Sequence, residues 1–256
     1  MFSNAETQLL YKVANAPIRM YPYPHILVHE VFPQDFYRAL REHLPPGGVY
    51  KSLKALGRVS GDYPETRVVL PLTPEHVAAL PEPYRSFWDE TARWFLGGQF
   101  GQVVLQKFSG LLAQRFENLA SIEFLHEALV VQDRTDYSLG PHTDTPSKVL
   151  SFLFYLPADD SQSHLGTSVY LPKDPSFTSP GSEPYHGFEK FIRLLTMPYV
   201  PNTLFAFMKT PNAFHGVEPI AEPNVERALL LYDVKTANTA TPSARTPGQP
   251  TTRFQF

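Results

Sequence analysis

Gly140-Pro141-His142-Thr143-Asp144-Thr145-Pro146 is the stretch on which the reading of this 256-residue chain turns. An imidazole and a carboxylate two positions apart project from the same side of an extended segment, because strand side chains alternate with a period of two. His142 and Asp144 can therefore bind one metal ion together. Of the nine histidines, only His142 has a carboxylate at that offset. A second imidazole, in Ala213-Phe214-His215-Gly216-Val217, completes one face of an octahedron if the chain returns it to the first pair. Arg227 follows and opens the apolar run Ala228-Leu229-Leu230-Leu231-Tyr232.

The flanking sequence reads as strands. Short apolar runs at 122–132, 149–156, 167–171, 194–199, 203–208, 215–220 and 227–234 recur at a spacing that suggests a sandwich or jelly roll. The chain holds 26 prolines, mostly in X-Pro steps between these runs. Proline removes a ladder donor and breaks helix interiors, so this density argues against a helical bundle. Before residue 120 the pattern differs. A strand over 24–32 precedes an amphipathic helix over 33–44, and a short strand is expected at 67–70. Helices follow at about 74–80, 83–96 and 98–117. The expected fold class is mainly β with N-terminal helices (α+β), on a cupin-like double-stranded β-helix. Residues 1–256 are read as a single domain, with helical support over about 1–120, the β core over 121–235 and an extended tail over 236–256.

Composition narrows the function. A formal net charge of −3 leaves no electrostatic footprint for nucleic acid or an anionic membrane surface. With no cysteine, disulfides, thiolate metal sites and a cysteine nucleophile are excluded. The first ten residues lack a signal-peptide pattern, and no apolar run is long enough to span a membrane. A cytoplasmic protein is the default expectation, and a homodimer is left open.

Two His and one carboxylate leave three metal positions free, the arrangement of non-heme Fe(II) oxygenases. His142-x-Asp144, His215 and Arg227, set among these strands, resemble the Fe(II)- and 2-oxoglutarate-dependent dioxygenases, in particular the prolyl-hydroxylase-like branch. The resemblance covers residues 120–235 strongly and the strand-then-helix opening at 20–45 weakly. It implies His142, Asp144 and His215 as the catalytic metal ligands, with Fe(II), 2-oxoglutarate and O2 as cofactor and co-substrates. It also implies hydroxylation of a small-molecule, peptide, amino-acid or prolyl substrate with release of succinate and CO2.

Arg227 is the expected anchor for the C5 carboxylate of 2-oxoglutarate, since a guanidinium makes two parallel hydrogen bonds to a carboxylate. Some relatives carry Arg-x-Ser there, but the third position here is Leu229. A second anchor is then sought in Gln132, expected to point into the barrel, or in Tyr137 or Tyr155. Related halogenases lack the carboxylate that Asp144 supplies. Nucleic-acid demethylases carry a second arginine where this chain has Asp233. Lys148 reads best as a solvated turn lysine, and the long loop 172–193, rich in aromatics, as a lid over the site. The alternative reading is a non-catalytic jelly-roll protein that binds a metal or ligand without turnover.

Overall fold

The computed structural model describes residues 4–59, 63–183, 185–237 and 251–253. In chain order, α1 (Ala5–Asn15), β1 (His25–His29), α2 (Gln34–Glu42), β2 (Lys51–Ser52) and β3 (Arg67–Pro71) come first. Four helices follow: α3 (Pro74–Ala78), α4 (Tyr84–Phe95), α5 (Gln99–Lys107) and α6 (Ser109–Arg115). The remaining elements are strands: β4 (Glu123–Arg134), β5 (Leu139–His142), β6 (Lys148–Tyr155), β7 (Thr167–Pro172) and β8 (Phe191–Met197). After them come β9 (Thr203–Met208), β10 (His215–Val217), β11 (Glu226–Thr236) and β12 (Thr251–Arg253).

The strands form two sheets rather than a closed barrel. The larger runs β1-β9-β6-β11-β4-β3-β2, with β12 also on β4, and the smaller runs β5-β10-β7-β8. All pairings are antiparallel. This is a jelly roll.

The central strands of the larger sheet are buried on both faces, so they read as continuous apolar runs and alternation decides which side each residue serves. Leu129, Val131, Leu153, Tyr155, Phe205, Phe207 and Leu229 face the smaller sheet and pack with Leu139, Val169 and Val217. Their neighbours Ala128, Val130, Phe152, Phe154, Leu230 and Tyr232 face the helices. There Phe100 of α5 packs 5.3 Å from Phe95, 4.7 Å from Tyr232 and 5.6 Å from Phe152, centroid to centroid. Burying a side chain of this size stabilises by roughly 1.5–3 kcal/mol. The apolar layer is what holds the helices on the outer face, leaving the inner face to line a cavity.

Several elements differ from expectation. The strands read at 24–32 and 67–70 join the two sides of the larger sheet through β9 and β4, so residues 1–120 supply sheet as well as helical support. The helix expected over 98–117 is two, α5 and α6, meeting at Phe108. Helix α1, carrying Ala5, Leu9 and Val13 on its buried face, was not foreseen. Of the tail expected at 236–256, residues 238–250 and 254–256 lie outside the described residues, and β12 pairs with β4.

Candidate metal centre

β5 and β10 lie side by side in the smaller sheet with His142 and His215 as direct Cα partners. Their rings stand 4.3 Å apart, centroid to centroid. Asp144 follows in the turn after β5. One ligand atom from each of His142, Asp144 and His215 lies within 4.8 Å of the others, close enough to share one ion.

The surroundings prepare these atoms. His142 Nδ1 faces the Gly140 carbonyl at 3.0 Å, and His215 Nδ1 faces that of Ala213 at 3.0 Å. Each ring thus donates its Nδ1 proton to the backbone and keeps the Nε2 lone pair for a metal, the outer-shell arrangement typical of metal-binding histidines. Ser151 on β6 donates its hydroxyl to Asp144 Oδ2 at 2.7 Å, leaving Oδ1 for the ion. Burial, with His215 second, lowers the His142 pKa to about 3, and burial lowers that of His215. Burial alone would raise Asp144, but Lys148, followed by the two imidazoles, outweighs it and holds the carboxyl well below the usual range. Neutral imidazoles beside an ionised carboxylate are the protonation states a divalent cation requires. The donor set fits Fe(II).

Lys148 is not a solvated lysine. Its Nζ lies 3.0 Å from Asp233 Oδ2 and 3.4 Å from Asp144 Oδ1; burial alone would lower its pKa, but the Asp144 and Asp233 carboxylates outweigh it and hold the amine charged.

The three ligands open into a cavity of about 780 Å3 between the sheets, whose wall also includes Arg67, Thr167, Phe207 and Arg227. Arg227 is fully buried. It donates to Leu165 O, to Asp133 Oδ2 (2.6 Å) and to Thr167 Oγ1 (3.3 Å). Its guanidinium carbon sits 5.7 Å from the Tyr155 ring centroid and 5.3 Å from that of Tyr199. Tyr155 is therefore brought to Arg227, with its hydroxyl accepting from Thr167 N at 3.3 Å. Tyr137 is buried under Arg67, whose guanidinium carbon lies 4.5 Å from its ring centroid.

Gln132 is not brought in. It has the parity of Val130, which packs against the helical layer, while Val131 lines the cavity. The expectation that Gln132 points into the barrel is corrected. A one-residue change of parity moves a strand residue to the opposite face. The sequence reading also passed over Arg67, Asp133, Thr167 and Ser151. Arg67 carried the same signal as Arg227, a cation opening an apolar strand.

The segment 172–193, expected as a lid, is stitched to the ligand-bearing strands. Ser179 O accepts from Thr143 Oγ1 (3.0 Å) and Lys209 Nζ (3.3 Å), and Ser179 N donates to Pro211 O (2.8 Å). His186 N donates to Pro141 O (2.8 Å), and Phe177 stacks on Phe214 at 5.7 Å. Gly181, at φ +87°, lies so close that a Cβ would fall 1.8 Å from Asp144 O. The segment is a wall of the site. Across the cavity, Leu53, Leu56, Gly57, Arg58, Val59 and Tyr63 form the opposite rim, and residues 60–62 lie outside the described residues.

No protein-family model matches the chain, and no curated protein matches its sequence. Solved structures do match. A prolyl 4-hydroxylase from Phytophthora capsici superposes with a TM-score of 0.53 at 15% identity, over 94% of this chain and 69% of that one. SnoK, a non-heme α-ketoglutarate-dependent carbocyclase of nogalamycin biosynthesis, gives 0.51 at 10% identity over 98% of both chains. The epimerase SnoN, solved with Fe3+, α-ketoglutarate and nogalamycin RO, gives 0.51 at 12% identity over 97% of this chain and 94% of that one. The chain has the fold of the 2-oxoglutarate-Fe(II) oxygenases. Among the described residues no helix is long and apolar enough to cross a membrane.

Proposed function

We propose that this chain is an Fe(II)- and 2-oxoglutarate-dependent dioxygenase that hydroxylates a small-molecule or amino-acid/prolyl substrate, releasing succinate and CO2. The observation that carries the reading is the convergence of His142, Asp144, His215 and Arg227 on one cavity. When bound, Fe(II) would supply the redox chemistry that protein side chains lack. The chain's own residues bind and orient. His142 and His215 offer Nε2, and Asp144 offers the carboxylate oxygen that Ser151 does not occupy. Lys148 partly neutralises the Asp144 charge from outside the ligand set. Arg227, with Tyr155 against its face, holds the distal carboxylate of 2-oxoglutarate. Leu129, Val131, Leu139, Phe207 and Val217 keep the wall apolar and limit water around the reacting groups. Two substrates must share the cavity, which suits a compact molecule or a single side chain of a peptide.

The test is stoichiometric. Protein given Fe(II), 2-oxoglutarate and a panel of ring-bearing small molecules and prolyl peptides should consume O2 and release succinate in equal amounts, faster with a true substrate. Iron and 2-oxoglutarate binding with no succinate under any condition would favour a non-catalytic binding protein.

A further inference from the structure

Arg67, Asp133 and Arg227 lie in one register row across three adjacent strands. Asp133 on β4 is the Cα partner of Arg67 on β3 and of Arg227 on β11. All three share the parity of the cavity-facing Val69, Val131 and Leu229. Asp133 is completely buried and takes both guanidiniums. Arg67 binds it in bidentate fashion at 2.6 and 2.8 Å, and Arg227 adds a third bond at 2.6 Å.

Two cations on one carboxylate leave a unit of positive charge in a place where uncompensated charge is costly. Among the described residues no second acidic side chain pairs with either arginine. Donors are also left over. A guanidinium carries five N–H groups. Arg227 commits three, and the Nη1 of Arg67 makes no hydrogen bond to the described protein. Both arginines reach the cavity that holds the metal ligands, and both are steadied by aromatic rings, Tyr137 under Arg67 and Tyr155 and Tyr199 beside Arg227.

We infer that this row is a two-armed carboxylate seat. Arg67, from a strand outside the 121–235 core, is the second anchor for the distal carboxylate of 2-oxoglutarate. Asp133 is a positioning residue that aims both guanidiniums. The inference deepens the oxygenase reading and rests on it. It also supplies a partner at the point where Leu229 offers no hydroxyl. The incoming carboxylate brings the row, fully buried at Asp133 and Arg227 and part-buried at Arg67, to neutrality, so the seat selects a dianionic 2-oxoacid over one with an apolar tail.

The test is calorimetric titration of the full chain loaded with Mn(II), using 2-oxoglutarate and 2-oxopentanoate, which has a methyl group in place of the distal carboxylate. Wild type should prefer 2-oxoglutarate. Arg67→Ala should weaken 2-oxoglutarate at least about tenfold and leave 2-oxopentanoate unchanged, as expected for loss of one partner of a desolvated charge pair. Arg67→Lys keeps a cation on Asp133 and serves as a second variant if alanine unfolds the chain. It should still lose affinity, because it lacks the planar fork. Wild-type 2-oxoglutarate affinity in a folded Arg67 variant, with loss only in Arg227→Ala, overturns the second arm and spares the oxygenase reading. A wild-type protein that does not bind 2-oxoglutarate overturns both.

Discussion

Replacing His126 with glutamine should flatten the acid side of this protein's stability curve. His126 sits on β4, 2% exposed, facing the helical layer. Its Nδ1 shares a 2.6 Å hydrogen bond with the Tyr232 hydroxyl, and its Nε2 has no partner. The ring is pressed against Gly101 of α5, where a Cβ would come within 2.8 Å of Cε1. Burial lowers its pKa from 6.5 to about 4. The folded state therefore keeps the ring neutral between those values while the unfolded chain takes up a proton. The stabilisation is fully present above pH 6.5 and shrinks as pH falls toward 4. At about 1.4 kcal/mol per pKa unit it amounts to about 3 kcal/mol, a large share of the roughly 5–15 kcal/mol a domain usually has. Urea unfolding of wild type and His126→Gln at pH 7, 6 and 5 reads it directly. Other buried histidines titrate in both proteins, so the difference isolates this one. Between pH 6 and 5 the wild type should lose up to about 1.4 kcal/mol more than the variant. Parallel curves would refute the argument and mean that water reaches the ring.

Three further outcomes are expected. Alanine at His142, Asp144 or His215 should remove most Fe(II) or Co(II) binding under anaerobic titration. Wild-type affinity in His215→Ala would exclude this ligand set. Gly181→Ala should weaken metal binding at least about tenfold, because its Cβ displaces the Asp144 backbone at a positive φ that alanine also resists; unchanged metal affinity would mean the wall yields without moving the ligand. Phe100→Ala should cost about 3–5 kcal/mol in chemical denaturation, and a loss under 1 kcal/mol would show that the helices are held by something other than this aromatic packing.

That His142, Asp144, His215 and Arg227 would gather at one cavity could be anticipated from the chain because each stands where local pattern and chemistry agree: a unique His-x-Asp, a histidine at a strand start, a cation before an apolar run. The Arg67-Asp133-Arg227 row could not. It exists only once β3, β4 and β11 have paired, and strand register between distant segments leaves no local trace. Gln132 failed for the related reason that a strand buried on both faces over 128–133 does not announce its parity. Lys148 was misjudged because turn position suggested water, whereas Asp233 reaches it from the neighbouring β11, where its register partner is Lys235. Helix α1 escaped because three small or branched apolar residues four apart make a faint stripe.

The wall built by residues 172–183 and 185–193 also bears on how such a protein can change its diet. That wall is bonded to Thr143, Pro141 and Pro211, so altering it risks moving the ligands themselves. The opposite rim, Leu53 to Val59 with Tyr63, precedes His142, Asp144 and His215 in the chain and meets the jelly roll through β2, β3 and the 2.6 Å ion pair of Arg58 with Glu127 on β4, none of which touches those three residues. Insertions or exchanges there can reshape what enters the cavity while the His142, Asp144 and His215 cluster stays as it is. One flank of the entrance is conservative by construction, and the other is free to experiment.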